Sequence, residues 1–78
     1  MDKLFVLIRV EPGHIEDILA AVKQTRYVSE ASAVTGSYDI IVKIEGAGIA
    51  EILRTVIKEI HKIDGVTGTE PLVSVDMQ

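Results

Sequence analysis

"KLFVLIRV", residues 3–10, is the stretch on which the fold turns. Leu4, Val6, Ile8 and Val10 form one alternating set; Phe5 and Leu7, followed by Arg9, form the other. Successive side chains of a strand point to opposite faces, so a strand with one face in water alternates apolar and polar residues. A run that is apolar in both sets reads instead as a strand covered on both faces, at the centre of a sheet.

The neighbouring segments follow from that strand. "EPGH" ends it, because Pro-Gly is a turn signal. From His14 the period changes: Ile15, Ile18, Leu19 and Val22 fall at i, i+3, i+4, i+7, one stripe of a helix. Glu16 and Asp17 sit in its first turn and Lys23 and Arg26 near its end, as the helix dipole favours, which predicts a helix over 14–25. Residues 27–34, "YVSEASAV", alternate again, with Val28, Glu30, Ser32 and Val34 on one side and Tyr27, Ser29, Ala31 and Ala33 on the other. Their small and polar character suits a sheet edge. "TGSYD" then leads into "DIIVKIE", residues 39–45, where Ile40, Val42 and Ile44 form one face and Ile41, Lys43 and Glu45 the other. The two strands make an antiparallel hairpin around Gly36.

After "GAG" at 46–48, Ile49, Ile52, Leu53, Val56, Ile57, Ile60 and Ile63 keep the helical period, and Gly65 is a natural stop. "VTGTEPLVSVD", residues 66–76, is the last strand; Pro71 cannot donate to a ladder, so it belongs at an edge or a bulge. The order is β-α-β-β-α-β. That is an α+β, ferredoxin-like sandwich: a four-stranded antiparallel sheet with two helices on one face. Right-handed crossovers place the first and third strands at the centre and the second and fourth at the edges. The helices cover one face only. An open apolar second face exceeds what a monomer normally tolerates, so a sheet-to-sheet dimer about a twofold axis is expected.

Size and composition agree. The chain has 78 residues, one domain over 1–78, and a domain this small buries only about 60% of its unfolded surface. Small domains need a staple. There is no cysteine, hence no disulfide and no cysteine-bearing zinc site, and with only His14 and His61 no metal site is expected. Self-association is the staple that remains. No run approaches the ~20 apolar residues of a membrane span, and the N-terminus lacks the pattern of a signal peptide. The expectation is a cytoplasmic protein with no membrane partner. The net charge is −4 and the eight Lys and Arg residues are scattered. The nearest approach to a basic face is Arg54, Lys58 and Lys62, which Glu51 and Glu59 dilute, so no direct nucleic-acid partner is expected.

Catalytic machinery is equally sparse. Ser29, Ser32, Ser37 and Ser74 lie in no nucleophile-elbow context. "GAGIAE" begins like a dinucleotide fingerprint but places Glu51 where the third glycine belongs. No catalytic residue and no cofactor are assigned. The one stretch with binding character is "TGSYD", residues 35–39. Gly36 permits positive φ and exposes N–H groups that receive a carboxylate. Asp39 offers a charge for an ammonium, and Tyr38 a flat apolar surface with one hydroxyl. Together they suit a zwitterion such as a free amino acid; the alternative is an ordinary turn.

"FVLIRVEPG", "VSEASAVTGSYDIIVKIEG" and "KIDGVTGTEPLVSV" resemble, along nearly the whole chain, the effector-binding (RAM) domain of the leucine-responsive/asparagine-responsive regulator (Lrp/AsnC) family. The pairing of "VTGSYD" with "GVTGTEPLV" at this spacing carries the resemblance. It implies a ferredoxin-like fold, dimers joined sheet to sheet, assembly into octamers or decamers, and amino-acid binding at clefts between dimers near the hairpin. It also implies Gly36, Tyr38 and Asp39 as ligand-binding residues, with Thr35 and Ser37 as neighbours and Thr69 and Leu72 as a wall from the C-terminal segment. Full-length members carry an N-terminal helix-turn-helix, whereas this sequence begins at the first strand. The expectation is a stand-alone RAM domain without a DNA-binding domain, a non-catalytic regulator acting with or beside a full-length helix-turn-helix relative. The alternatives are a small dimeric α+β barrel enzyme and a structural assembly partner without ligand.

Overall fold

The structure is a computed structural model that describes residues 2–73. The elements are β1 (Asp2–Val10), α1 (Ile15–Lys23), β2 (Val28–Ala33), β3 (Ile40–Gly46), α2 (Ile49–His61) and β4 (Val66–Val73). The sheet order is β2-β3-β1-β4 and every neighbouring pair is antiparallel. The most apolar runs therefore lie at the centre, and the Ser-bearing and Pro-bearing strands lie at the edges, as the sequence requires. The last three positions of the strand expected over 66–76 lie outside the described residues.

The helices select which set of β1 is buried. Leu4, Val6, Ile8 and Val10 join Ile40, Val42 and Ile44 of β3 against Ile18 and Val22 of α1 and Ile52, Val56 and Ile60 of α2. No polar side chain enters this core among the described residues. Phe5 and Leu7 fall on the opposite, open face. The register sets Phe5 between Lys43 and Leu72, and Leu7 between Ile41 and Glu70. A strip of Phe5, Leu7, Ile41 and Leu72 thus crosses the open face, with Leu72 42% exposed.

Two local departures from simple alternation have clear causes. The β2–β3 register slips between Val28 and Glu30, so Val28 opposes Ile44 while Glu30 opposes Lys43. A bulge inserts one residue and reverses the facing of what precedes it. Val28 therefore joins Ala31 against the core instead of sharing a face with Glu30. Tyr27 is no strand residue: its φ is +72, and it forms the turn before β2 with its ring packed on the core. The second departure is at Pro71. The Ile8 carbonyl faces β3, accepting from Asp39 N–H at 2.9 Å, whereas the Arg9 carbonyl faces β4, accepting from the Thr67 hydroxyl at 3.1 Å. Val6, two residues before Ile8, turns its backbone towards β3, and its β4 partner is Pro71. The N–H that proline lacks would point out of the sheet, so no ladder bond is lost and the free edge is blunted.

The turn before β4 depends on Gly65. Its φ is +98, and a Cβ there would lie 2.8 Å from Ile18 Cδ1. Among the described residues, no helix is long and apolar enough to cross a membrane.

Urea denaturation checks this account. Ile8→Ala, in the middle of the core, is expected to cost about 2–5 kcal/mol through lost transfer energy and the cavity left behind. Gly65→Ala is expected to cost about 1–3 kcal/mol from left-handed strain, with a further loss from the clash with Ile18.

Candidate functional site

The connection between β2 and β3 is clamped onto the end of β1 by one residue. Asp39 donates its N–H to the Ile8 carbonyl at 2.9 Å and accepts the Val34 N–H on its own carbonyl at 2.8 Å. Its carboxylate oxygen Oδ2 accepts the Val10 N–H at 2.9 Å. Just beyond Ile8 the β1–β3 pairing ends, and the aspartate side chain supplies the acceptor that the ladder no longer offers. Asp39 thus closes the loop with three hydrogen bonds.

The rest of the loop rises over the open face of the sheet. Gly36 takes φ +119, a conformation that L side chains rarely adopt, with open space around the position of a Cβ. Thr35, Gly36 and Ser37 are exposed. The Ser37 carbonyl accepts Arg9 Nε–H at 3.3 Å. The Arg9 guanidinium carbon stands 4.8 Å from the centroid of the Tyr38 ring, within cation–π range. The Tyr38 hydroxyl donates to Glu70 Oε1 of β4 at 3.0 Å. One tyrosine therefore ties the connection to both β1 and β4.

Of the five loop residues singled out in the sequence, Ser37, Tyr38 and Asp39 make these contacts, while Thr35 and Gly36 lie exposed in the same loop. The two from the C-terminal segment separate. Leu72 opposes Phe5 on the open face, further along the strand from Tyr38 than Glu70. Thr69 opposes Ile8 on the helical face, and its hydroxyl is hydrogen-bonded to His61 Nε2 at 2.9 Å. Thr69 instead borders a groove of about 510 Å³ between α2 and β4, with Leu53, Arg54, Ile57, Lys58 and Pro71. A second hollow of about 520 Å³ lies between the helices, bordered by Thr25, Arg26, Thr55, Glu59 and Lys62 among others. Neither hollow touches the loop. Two residues of the cluster, Arg9 and Glu70, were not anticipated. The available signal was that each is the polar member of an otherwise apolar open-face set, Arg9 after Phe5 and Leu7, Glu70 before Leu72.

The family model for the Lrp/AsnC ligand binding domain matches residues 3–76. The chain belongs to the Lrp/AsnC ligand-binding domain family. Among related sequences, an uncharacterized HTH-type transcriptional regulator of Pyrococcus furiosus is 32% identical over 73 residues, covering 90% of this chain and 49% of that protein. Among solved structures, TTHA0845 from Thermus thermophilus superposes with a TM-score of 0.89 at 28% identity, covering 100% of this chain and 98% of that one. AsnC of E. coli superposes with a TM-score of 0.83 at 26% identity, covering 96% of this chain and 51% of AsnC. The chain spans about half the length of the curated HTH-type relatives it matches. As an Lrp/AsnC ligand-binding domain it has the effector-binding character of a regulator family.

Two measurements test the loop geometry. Asp39→Ala leaves the Val10 N–H without its acceptor and is expected to cost about 1–3 kcal/mol. Amide exchange at Val10 should rise with it. The hydrogen bond to Glu70, with smaller contributions from desolvation and from the Glu70 charge, holds the Tyr38 phenol above its ordinary 10.0, and Arg9 opposes this. The raised value means the fold favours the protonated phenol. The Tyr38–Glu70 link is therefore fully present below the ordinary tyrosine value and is lost as pH rises through the raised one. Glu70→Gln is expected to move the Tyr38 titration, followed by ring NMR shifts, back down.

Proposed function

We propose that the chain is a non-catalytic amino-acid-sensing module, a regulator of amino-acid metabolism or transcription. The observation that carries this is the clamped loop. Asp39 fixes the backbone of residues 35–39 on the end of β1, which leaves the Gly36 backbone, the Tyr38 ring and the charges of Arg9 and Glu70 facing outward. Membership in a ligand-binding domain family of regulators supports the same reading, and supports a binding role over a catalytic one. In this proposal Thr35, Gly36, Ser37, Tyr38 and Asp39 border the ligand. Thr69 and Leu72 lie on opposite faces of β4, so one chain contributes at most Leu72 to this wall.

The proposal includes assembly. The strip of Phe5, Leu7, Ile41 and Leu72 is the ground for a dimer packed sheet to sheet, and the family resemblance extends this to an octamer or decamer in the cytoplasm. With a net charge of −4 and dispersed cations, the 78 residues are better suited to an effector than to DNA. Action on genes would run through a full-length helix-turn-helix relative that shares or borders the assembly.

A thermal-shift panel of the twenty amino acids tests the sensing reading. A ligand present at about 100 times its Kd stabilises its site by about 2.7 kcal/mol, so one or a few amino acids should raise Tm. If all twenty leave Tm unchanged, the reading fails. Light scattering tests the assembly reading. The purified protein is expected well above the mass of one chain, and Leu7→Arg, which puts a charge in the open-face strip, is expected to reduce that mass.

A further inference from the structure

We propose that the groove between α2 and β4 is a docking site for an acidic amphipathic helix of another protein. The groove lies on the helical face of the sheet. It is therefore independent of the amino-acid reading, and it stays open in a dimer packed through the other face.

The floor of the groove is apolar and only half covered. Leu53 and Ile57 of α2 are partly buried against the core, and Pro71 of β4 is exposed beside them. Alternate residues of a strand share a face, so Val73, 55% exposed, continues this surface past Pro71. The Thr69 hydroxyl at its border is already engaged with His61 Nε2 at 2.9 Å. The volume of about 510 Å³ holds a few aliphatic side chains from one face of a helix. The charged residues at the border, Arg54 and Lys58, are both cations, and both are exposed. In the sequence these two and Lys62 form one stripe diluted by Glu51 and Glu59. The fold divides that stripe. Lys62 and Glu59 approach each other at 3.7 Å and border the hollow between the helices instead. Among the described residues the ion pairs are Lys43–Glu45 and Lys62–Glu59, so Arg54 and Lys58 remain for an anion from outside.

Charge complementarity selects the partner. On a chain of net charge −4, an acidic segment is drawn only to a place where cations stand together without anions, and a basic segment is turned away from it. The groove's edge selects the shape. A strand added beside β4 would meet Pro71, which has no N–H to donate. A helix satisfies its own backbone and needs only a seat for its side chains. Apolar residues at i, i+3, i+4 and i+7 would enter over Leu53, Ile57 and Pro71, with flanking carboxylates opposite Arg54 and Lys58. Nucleic acid is the poorer match, because two cations beside an apolar floor neutralise few phosphates.

The test uses the whole chain and two labelled synthetic peptides of about 15 residues, long enough to form a helix. Both carry leucine at i, i+3, i+4 and i+7; one is flanked by glutamate and the other by lysine. Fluorescence anisotropy measures affinity, and methyl NMR, which tolerates the mass of an oligomer, locates the contact. The glutamate peptide is expected to bind, to shift the methyls of Leu53, Ile57 and Val73, and to weaken as salt rises. The lysine peptide should do none of these. Arg54→Glu combined with Lys58→Glu should weaken the glutamate peptide by roughly tenfold or more and bind the lysine peptide in its place. Both positions are exposed, so this variant should fold, which circular dichroism verifies. If the glutamate peptide leaves these methyls unmoved, or if charge reversal leaves its affinity unchanged, the docking site is overturned. The same holds if a DNA duplex moves these methyls and the glutamate peptide does not, or if they move with protein concentration alone. The first would assign the groove to nucleic acid and the second to another copy of the chain. The amino-acid panel above reads out separately from either result.

Discussion

The burial of Leu4, Val6, Ile8 and Val10 beneath two helices is the constraint on which the rest of the molecule depends. Because side chains alternate along a strand, committing this set to the core commits Phe5, Leu7 and Arg9 to the other face. Every later property of the open face descends from that choice. The apolar strip exists because β1 is apolar on both sides, and the charged corner exists because Arg9 ends the second set. With no cysteine, the domain has little else to stabilise it than this core.

The loop between β2 and β3 is held in place mainly by one residue. Asp39 spends its N–H, its carbonyl and one carboxylate oxygen on holding the connection to β1 and to the end of β2. A loop so held keeps its neighbours in fixed positions, and preorganisation of that kind lowers the cost of ordering a site on binding. Tyr38 then extends from the rigid base across β1 to β4 and keeps Arg9 and Glu70 apart. Asp39 thus holds the connection to β1, and Tyr38 links it to both β1 and β4.

The sequence made much of this legible and hid the rest for identifiable reasons. The period of 3.6 in Ile52, Leu53, Val56, Ile57 and Ile60 announced α2, and the Pro71 strand announced an edge. Gly36 announced the turn, and the parity of β4 positions even contained the separation of Thr69 from Leu72, since residues an odd number apart face opposite ways. Val28 was misassigned because a bulge leaves no mark in the alternation of a six-residue strand. The turn at Tyr27 was hidden because a tyrosine gives no hint of positive φ, a conformation its neighbours must impose.

By itself the sequence determined the element order, the central and edge strands and the identity of the loop, because hydrophobic period and turn chemistry are local properties written residue by residue. The tertiary structure alone decided that Arg9, Tyr38 and Glu70 meet. That meeting depends on the register between β1 and β4, which pairs Leu7 with Glu70 across most of the chain. Register comes from packing the whole core at once, and no local stretch encodes it.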